Sequence, residues 1–148
     1  MKKLNILFLV VLTCAFALPA VAQRKVDVFG YYTIVSASKD FENISELHLA
    51  GNYGETQKPK FYGIIRLRKS TGDDFALLKP SLIGKKLSFT TKSVGGVHYG
   101  FTGVFTKLGD FPTSRPEGQT LLRGTLTKYS GKKKLGAGTF NFTYSAGD

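Results

Sequence analysis

Hydrophobic and polar residues alternate along most of the chain after the first 22 residues. This alternation is the period of a β-strand with one buried face. The clearest example is the stretch 97–108, which places Val97, Tyr99, Phe101 and Phe105 on one face and His98, Gly100, Thr102 and Thr106 on the other. No segment sustains a helical period, so the pattern predicts an all-β fold.

The same pattern predicts seven strands in all. They cover residues 26–36, 44–53, 60–68, 85–91, 97–108, 121–129 and 135–144. Residues 75–78 form either an eighth short strand or one helical turn, and Pro80 is expected to end that segment in both cases because proline has no N–H to donate.

Glycine separates and interrupts these strands. The pairs Gly95-Gly96 and Ser130-Gly131 lie between strands and suit tight hairpin turns, whereas 54–57 and 70–73 predict looser turns. Glycines inside the strands, such as Gly103, Gly124 and Gly138, favour a strongly coiled sheet. We therefore predict a single antiparallel meander barrel of seven to eight strands. A β-sandwich of the immunoglobulin type is the alternative, although it needs longer crossing connections.

The first 22 residues have the pattern of a secretory signal peptide. Lys2 and Lys3 precede an apolar run, and Ala20-Val21-Ala22 offers a small-residue cleavage site before Gln23. The run is too short for a membrane span, which needs about 20 apolar residues. We therefore predict a signal peptide over 1–22, a single all-β domain over 23–148, and a periplasmic or secreted location. Cys14 lies within the apolar run, which disfavours a lipid anchor at that residue.

The chain is strongly basic, with a formal net charge of +11 and a sequence pI of about 9.8. Two of its 21 basic residues lie in the predicted signal peptide, so 19 remain against 10 acidic ones. This excess favours anionic partners such as lipid headgroups, acidic glycans or an acidic protein, or it serves solubility alone. Predicted export makes nucleic acid the least favoured partner.

Residue types for catalysis are sparse. The two histidines, His48 and His98, alternate with apolar neighbours, and no nearby carboxylates complete the three or four ligands of a zinc site. The G-x-S-x-G motif of nucleophilic serines is absent, and no cysteine follows Cys14. The sequence therefore predicts no catalytic residue, no metal site and no cofactor.

Two groups of residues are candidates for binding a ligand. In a barrel with a cavity, the inward aromatic residues would line it, and these are Tyr32, Tyr99, Phe101, Phe142 and Tyr144. In a filled barrel the same residues form the core. Arg66 and Arg68 share a strand face with Tyr62 and Ile64, and such a face can hold a carboxylate or phosphate. An outward-facing sheet surface is the alternative for this second group.

The segment Phe29-Gly30-Tyr31-Tyr32 resembles the first strand of calycin-type barrels, in which a G-x-W signature closes the floor of the barrel. Tyrosine stands here in the place of the tryptophan. The resemblance covers one strand, implies a barrel that is calycin-like in general shape, and transfers no ligand or site residue.

Three functional hypotheses follow. The first is an exported, non-enzymatic binding module that holds a small amphipathic or anionic ligand in the barrel mouth. The second is an interaction protein that binds an anionic envelope component through a basic surface. The third is an enzyme whose site would show a perturbed histidine or carboxylate beside a second polar group.

Overall fold

The computed structural model describes residues 26–52, 60–69 and 74–147. Several predictions lie outside the described residues. These are the signal peptide over 1–22 with Cys14, the strand end at Tyr53, the turn 54–57 and the turn 70–73.

Eight strands form one closed antiparallel barrel, in which each strand pairs with its neighbours in sequence and the last strand pairs with the first. This confirms the predicted meander and excludes the sandwich. The strands are β1 (Gly30–Val35), β2 (Ile44–Asn52), β3 (Lys60–Leu67), β4 (Phe75–Ile83), β5 (Lys86–Thr91), β6 (Val97–Phe105), β7 (Thr120–Ser130) and β8 (Lys133–Ser145).

Both predicted tight hairpins form, one at Gly95-Gly96 and the other at Ser130-Gly131. Gly95 and Gly96 have φ of 57° and 77° and connect β5 to β6, a left-handed conformation that glycine adopts without strain. At the next hairpin, Ser130 pairs with Lys133, so Gly131 lies at the turn with φ 54°. Turn chemistry in the sequence therefore sets the register of both hairpins.

The segment 75–78, predicted as either a short strand or one helical turn, belongs to the strand β4, which is longer than predicted. β4 does not stop at Pro80 but runs on to Ile83. A bulge between Leu78 and Ser81 interrupts its pairing with β5, and Lys79 within the bulge has φ 48°. Because bulge residues are unpaired, the missing N–H of Pro80 costs no ladder hydrogen bond.

The strand pair β3–β4 is joined over a short length. Among the described residues, Ile64 pairs with Ala76 and Ile65 with Phe75, and the two strands part beyond them. By contrast, β7 and β8 pair almost along their whole length, from Thr120 with Thr143 to Ser130 with Lys133. The β4 bulge lies on the side where β3 and β4 part.

Aromatic rings and glycines together fill the interior. The ring of Phe101 lies over Gly103 and Gly124, where an added Cβ would come within 2.5 and 2.4 Å of its Cζ atom. Phe101 also stacks on Phe89 and meets Phe142 edge to face. The strand glycines at these positions therefore provide space for rings, in addition to the bending that the sequence predicted.

The irregular segment between β6 and β7 closes one end of the barrel. It contains a single helical turn, α1 (Phe111–Ser114), and the Asp110 side chain accepts a hydrogen bond from the Thr113 N–H at 3.3 Å. Phe111 is buried against Phe105 and Tyr144. This segment lies at the barrel rim, and the Phe111 ring fills the space beneath it.

The described residues include one other helix, the short 3-10 turn Lys39–Phe41. Neither of these two helices has the length or the apolar character to cross a membrane.

Candidate functional site

The five aromatic residues predicted to line a cavity all point into the barrel. Their exposed fractions range from 0 to 3% for Tyr32, Tyr99, Phe101, Phe142 and Tyr144. Two of the tyrosine hydroxyls bond to the backbone. Tyr32 donates to the Val28 carbonyl at 2.5 Å, and Tyr144 donates to the Phe29 carbonyl at 3.1 Å.

The space between these side chains is small. Phe101 and Phe142, with Phe89 and five aliphatic residues, surround a void of about 10 Å³. That volume is at the lower limit of what one water molecule requires, roughly 10–15 Å³. The void beside Phe101 and Phe142 is therefore too small for a ligand, and the Phe101 ring, which lies over Gly103 and Gly124, occupies this part of the interior.

The two predicted arginines lie on the outer wall, away from the five aromatics. The Arg66 Nη1 atom is 2.9 Å from Glu46 Oε1, and its Nε atom is 3.6 Å from Asp74 Oδ2. Arg68 Nε donates to the Glu42 carbonyl at 3.0 Å. Intramolecular partners thus engage both guanidinium groups, and the structure does not bring them together with the aromatic residues.

An open pocket of about 370 Å³ lies at the end of the barrel where β1 begins and β2 and β8 end. We call it the rim pocket. Its lining includes Phe29, Tyr31, His48, Leu49, Ala50, Pro112, Arg115, Tyr144 and Ala146. Its volume falls within the usual range for small-molecule sites, about 300–1,000 Å³. Of the predicted site residues, only Tyr144 lies in this lining.

Arg115 supplies the positive charge of the rim pocket. It ends α1 in the left-handed conformation, with φ 40° and ψ 64°, and its N–H donates to the Phe111 carbonyl at 2.7 Å. This conformation disfavours L-residues other than asparagine and aspartate by about 1–2 kcal/mol. Both ion pairs among the described residues involve Arg66, which leaves the exposed Arg115 guanidinium without a carboxylate partner in that part of the chain.

Tyr31 and His48 form one side of the rim pocket. They are cross-strand partners on β1 and β2, and their rings stack with centroids 4.3 Å apart and planes 8° apart. Burial lowers the pKa of His48, with a smaller contribution in the same direction from Arg66 and an opposing one from Glu46. The imidazole is therefore neutral at pH 7, when one ring nitrogen donates a hydrogen bond and the other accepts one.

Tyr144 connects the rim pocket to the core. Its hydroxyl bonds to the Phe29 carbonyl, and Gly30 leaves room for its ring, since an added Cβ would lie 2.4 Å from Tyr144 Cε2. Burial, helped by the carboxylates of Glu117 and Asp27, raises the pKa of Tyr144 to about 12, against the opposing effect of Arg115. Tyr144 thus remains a neutral, fixed wall of the pocket.

The rim pocket combines an apolar wall, two polar aromatic rings and one exposed cation. Phe29, Ala50 and Pro112 provide the wall, and Arg115 provides a forked donor suited to a carboxylate, phosphate or sulfate group. Such an arrangement can hold a small molecule that has an anionic head and an apolar body.

The sequence offers His48 as a candidate for a metal ligand or for the perturbed histidine of an enzyme site, and it does not single out Tyr31 or Arg115. One available signal was the position of Arg115 between Pro112 and Pro116, in the longest irregular segment of the chain. The pairing of Tyr31 with His48 depends on the β1–β2 register, which the alternation pattern alone does not determine.

The described residues contain no group of three or more His, Cys, Asp and Glu side chains placed to hold a metal ion. The second histidine, His98, stacks on Tyr129 across β6 and β7, with centroids 5.0 Å apart.

Comparison of the chain with protein-family models, with curated proteins and with solved structures finds no match.

Proposed function

We propose that this chain is an exported, non-enzymatic binding module, and that it holds a small amphipathic anion in the rim pocket. The observation that carries this proposal is the meeting of the exposed Arg115 with an apolar wall in an open pocket of about 370 Å³. The closed β-barrel is compatible with such a role, because small barrels commonly bind ligands at their mouths.

The volumes of the two spaces favour the rim pocket over the barrel interior as the place where the ligand binds. The void of about 10 Å³ between the interior aromatics cannot admit a metabolite, whereas the rim pocket is open at the barrel mouth. The proposed ligand therefore rests on the end of the barrel, with Tyr144 as the point at which the pocket meets the core.

The residues of the pocket define the ligand chemistry. Arg115 would bind the anionic head, Phe29 and Pro112 would cover the apolar body, and the Tyr31–His48 stack would offer hydrogen-bonding edges. A charge-assisted hydrogen bond contributes about 1.5–3 kcal/mol, so the head group is expected to decide the affinity.

Export forms part of the proposal and is supported by the signal-peptide pattern of residues 1–22. The periplasm or the extracellular medium is the corresponding location. Mass spectrometry of the protein purified from its own source is expected to give a mature chain that begins at Gln23. A chain that keeps residues 1–22 would contradict export.

The ligand site can be tested with a matched pair of fluorescent probes. One is 1-anilinonaphthalene-8-sulfonate, which has an anionic sulfonate, and the other is the uncharged N-phenyl-1-naphthylamine. We expect the folded protein to bind the sulfonate at one site, and Arg115→Ala to weaken that binding by roughly tenfold or more. The uncharged probe should lose much less affinity.

Arg68→Ala is the control, because it removes an exposed guanidinium just beyond β3 that does not line the rim pocket. If both arginine variants weaken sulfonate binding equally, the probe responds to net charge and the rim-pocket assignment is wrong. Amide shifts at Ala50 and Ala146 on titration would support the assignment. Native mass spectrometry of the mature protein, before and after denaturation, would then identify a retained natural ligand.

A further inference from the structure

A second open trough, distinct from the rim pocket, crosses the outer wall of the barrel over β5, β6 and β7. Its volume is about 580 Å³. Five hydroxyl side chains line it, namely Ser88, Thr90, Thr102, Thr125 and Thr127. Leu78 and Lys79 from the β4 bulge and Tyr129 from β7 also line it. We call it the threonine trough.

The hydroxyl groups form rows across the strands. Ser88 pairs with Thr102, and Thr102 pairs with Thr125, so one row crosses three strands. Neighbouring strands are about 4.8 Å apart, which gives the row a regular spacing. The row continues to Thr139 on β8, whose hydroxyl oxygen is 2.8 Å from that of Thr125. The wall thus presents repeated hydroxyl donors and acceptors to solvent.

Gly100 lies in the next row, between Thr90 and Thr127, and packing does not require a glycine there. An added Cβ would meet one atom within 4 Å, Tyr129 Cε2 at 3.4 Å, which is an ordinary contact distance. Gly103 and Gly124 differ because the Phe101 ring occupies their Cβ positions. A glycine inside a strand weakens it. The effect of Gly100 is to keep the middle of the trough free of a side chain.

The charge around the trough has a single sign. Between Asp74 and Asp110, and again between Glu117 and Asp148, the sequence contains no Asp or Glu, so β4 to β8 carry no carboxylate side chain. Lys79 lines the trough, Lys86 and Arg123 flank Val104 in the row below it, and Lys92 follows Thr90 by two residues. All four cations are exposed, and neither ion pair among the described residues includes them.

We propose that the threonine trough binds a segment of an acidic polysaccharide, with the hydroxyl rows contacting the sugar hydroxyls and the surrounding cations contacting its carboxylate or sulfate groups. A concave surface rich in hydroxyl groups suits a polyhydroxylated chain, and the absence of carboxylates removes repulsion of an anionic one. Single-stranded nucleic acid fits less well, because its bases need aromatic platforms. Tyr129 is the one aromatic ring of the trough with an outward side chain, and it is stacked on His98.

The test uses a heparin-derived hexasaccharide as the acidic probe and a dextran hexasaccharide as the uncharged probe, with isothermal titration calorimetry at two salt concentrations. We expect the acidic hexasaccharide to bind, the dextran to bind at least tenfold more weakly, and added salt to lower the acidic affinity. A second acidic probe, a twelve-nucleotide oligo-dT, should bind at least tenfold more weakly than the hexasaccharide.

Gly100→Val is the decisive variant, because it fills the trough without changing any charge. We expect it to reduce hexasaccharide affinity at least tenfold. Thr33→Val is the matched control: Thr33 is exposed on β1, outside the trough, and its replacement should leave the affinity unchanged. If Gly100→Val fails to fold, Thr102→Val removes a trough hydroxyl with almost no change in shape and should also weaken binding.

Two lysine variants distinguish binding at the threonine trough from attraction of the anionic probe to the net charge of the protein. Lys79→Met should weaken binding more than Lys133→Met, which removes an exposed lysine at the start of β8. The proposal is overturned if Gly100→Val and Thr102→Val bind as the wild type does while the two lysine variants weaken binding equally. It is also overturned if oligo-dT binds as tightly as the hexasaccharide, because the trough would then recognise charge rather than sugar.

Discussion

The imidazole of His48 lies flat against the ring of Tyr31, with centroids 4.3 Å apart and an angle of 8° between the planes. The stack places an imidazole that is partly withdrawn from water in the wall of the rim pocket. Since burial lowers the pKa of His48, its protonation is coupled to folding.

This coupling predicts a loss of stability on acidification. In the unfolded chain the imidazole takes up a proton near its ordinary pKa of 6.5, whereas the folded protein takes it up only at lower pH. In the interval below pH 6.5 the unfolded state binds more protons, so the free energy of unfolding falls as the pH falls. Urea unfolding at intervals between pH 8 and 5 measures this slope. His48→Gln should flatten it. Equal slopes for His48→Gln and the wild type would contradict the coupling.

Tyr144 predicts a second pH effect at the alkaline end. Its pKa is raised from 10.0 to about 12, so the unfolded chain releases the phenolic proton at a pH where the folded chain retains it. The stabilising contribution is complete below pH 10 and is lost as the pH rises from 10 towards 12. In Tyr144→Phe the free energy of unfolding should fall less steeply as the pH rises across that interval. Part of the slope should remain, because burial also raises the pKa values of Tyr32 and Tyr99.

Two glycine-to-alanine substitutions should have opposite effects on stability, because an aromatic ring lies over one of the glycines and not over the other. Gly124→Ala would place a Cβ 2.4 Å from Phe101 Cζ and 2.7 Å from Gly103 Cα, and we expect it to destabilise the protein by about 1–3 kcal/mol. Gly136→Ala meets only Asp40 Oδ2, at 3.5 Å, and should be neutral or stabilising by up to about 1 kcal/mol. Chemical denaturation of both variants measures the difference. Equal changes in the free energy of unfolding would show that the Phe101 ring does not need the space over Gly124.

Phe111 is predicted to be the most sensitive residue of the rim segment. Its side chain is 1% exposed and meets Phe105 and Tyr144, so Phe111→Ala should destabilise the fold by about 3–5 kcal/mol. Phe111→Leu, which keeps most of the volume, should cost less than about 1.5 kcal/mol. If the alanine variant loses no more stability than the leucine variant, the contacts of the Phe111 ring with Phe105 and Tyr144 do not stabilise the fold.

Much of the barrel could be predicted from the sequence because strand alternation and glycine turns are local signals. Val97, Tyr99 and Phe101 follow a strict period, and Gly95-Gly96 marks its own turn. The path of β4 through Pro80 could not be predicted in this way, because a bulge that leaves the proline unpaired is set by neighbouring strands.

The candidate sites were less accessible to sequence reasoning than the fold. Inward-facing aromatics have the same pattern whether they line a cavity or fill a core, and only the packing of Phe101 over Gly103 and Gly124 distinguishes the two. The rim pocket joins residues as distant in sequence as Tyr31 and Arg115, and no local pattern connects them. The absence of acidic residues from the strands β4 to β8 was visible in the sequence, but locating the trough on these strands needed the strand register.

The short junction between β3 and β4 gives the ring a preferred breaking point. A closed sheet has no free edge, so its fluctuations must begin where adjacent strands hold each other least, and here that place is beyond Ile64 with Ala76. Opening there would unroll the barrel into a ribbon with β4 at one margin and β3 at the other, still held together through β8 and β1. The backbone amides along those two margins would then be the first within the barrel to exchange with solvent, well before those of β7 and β8.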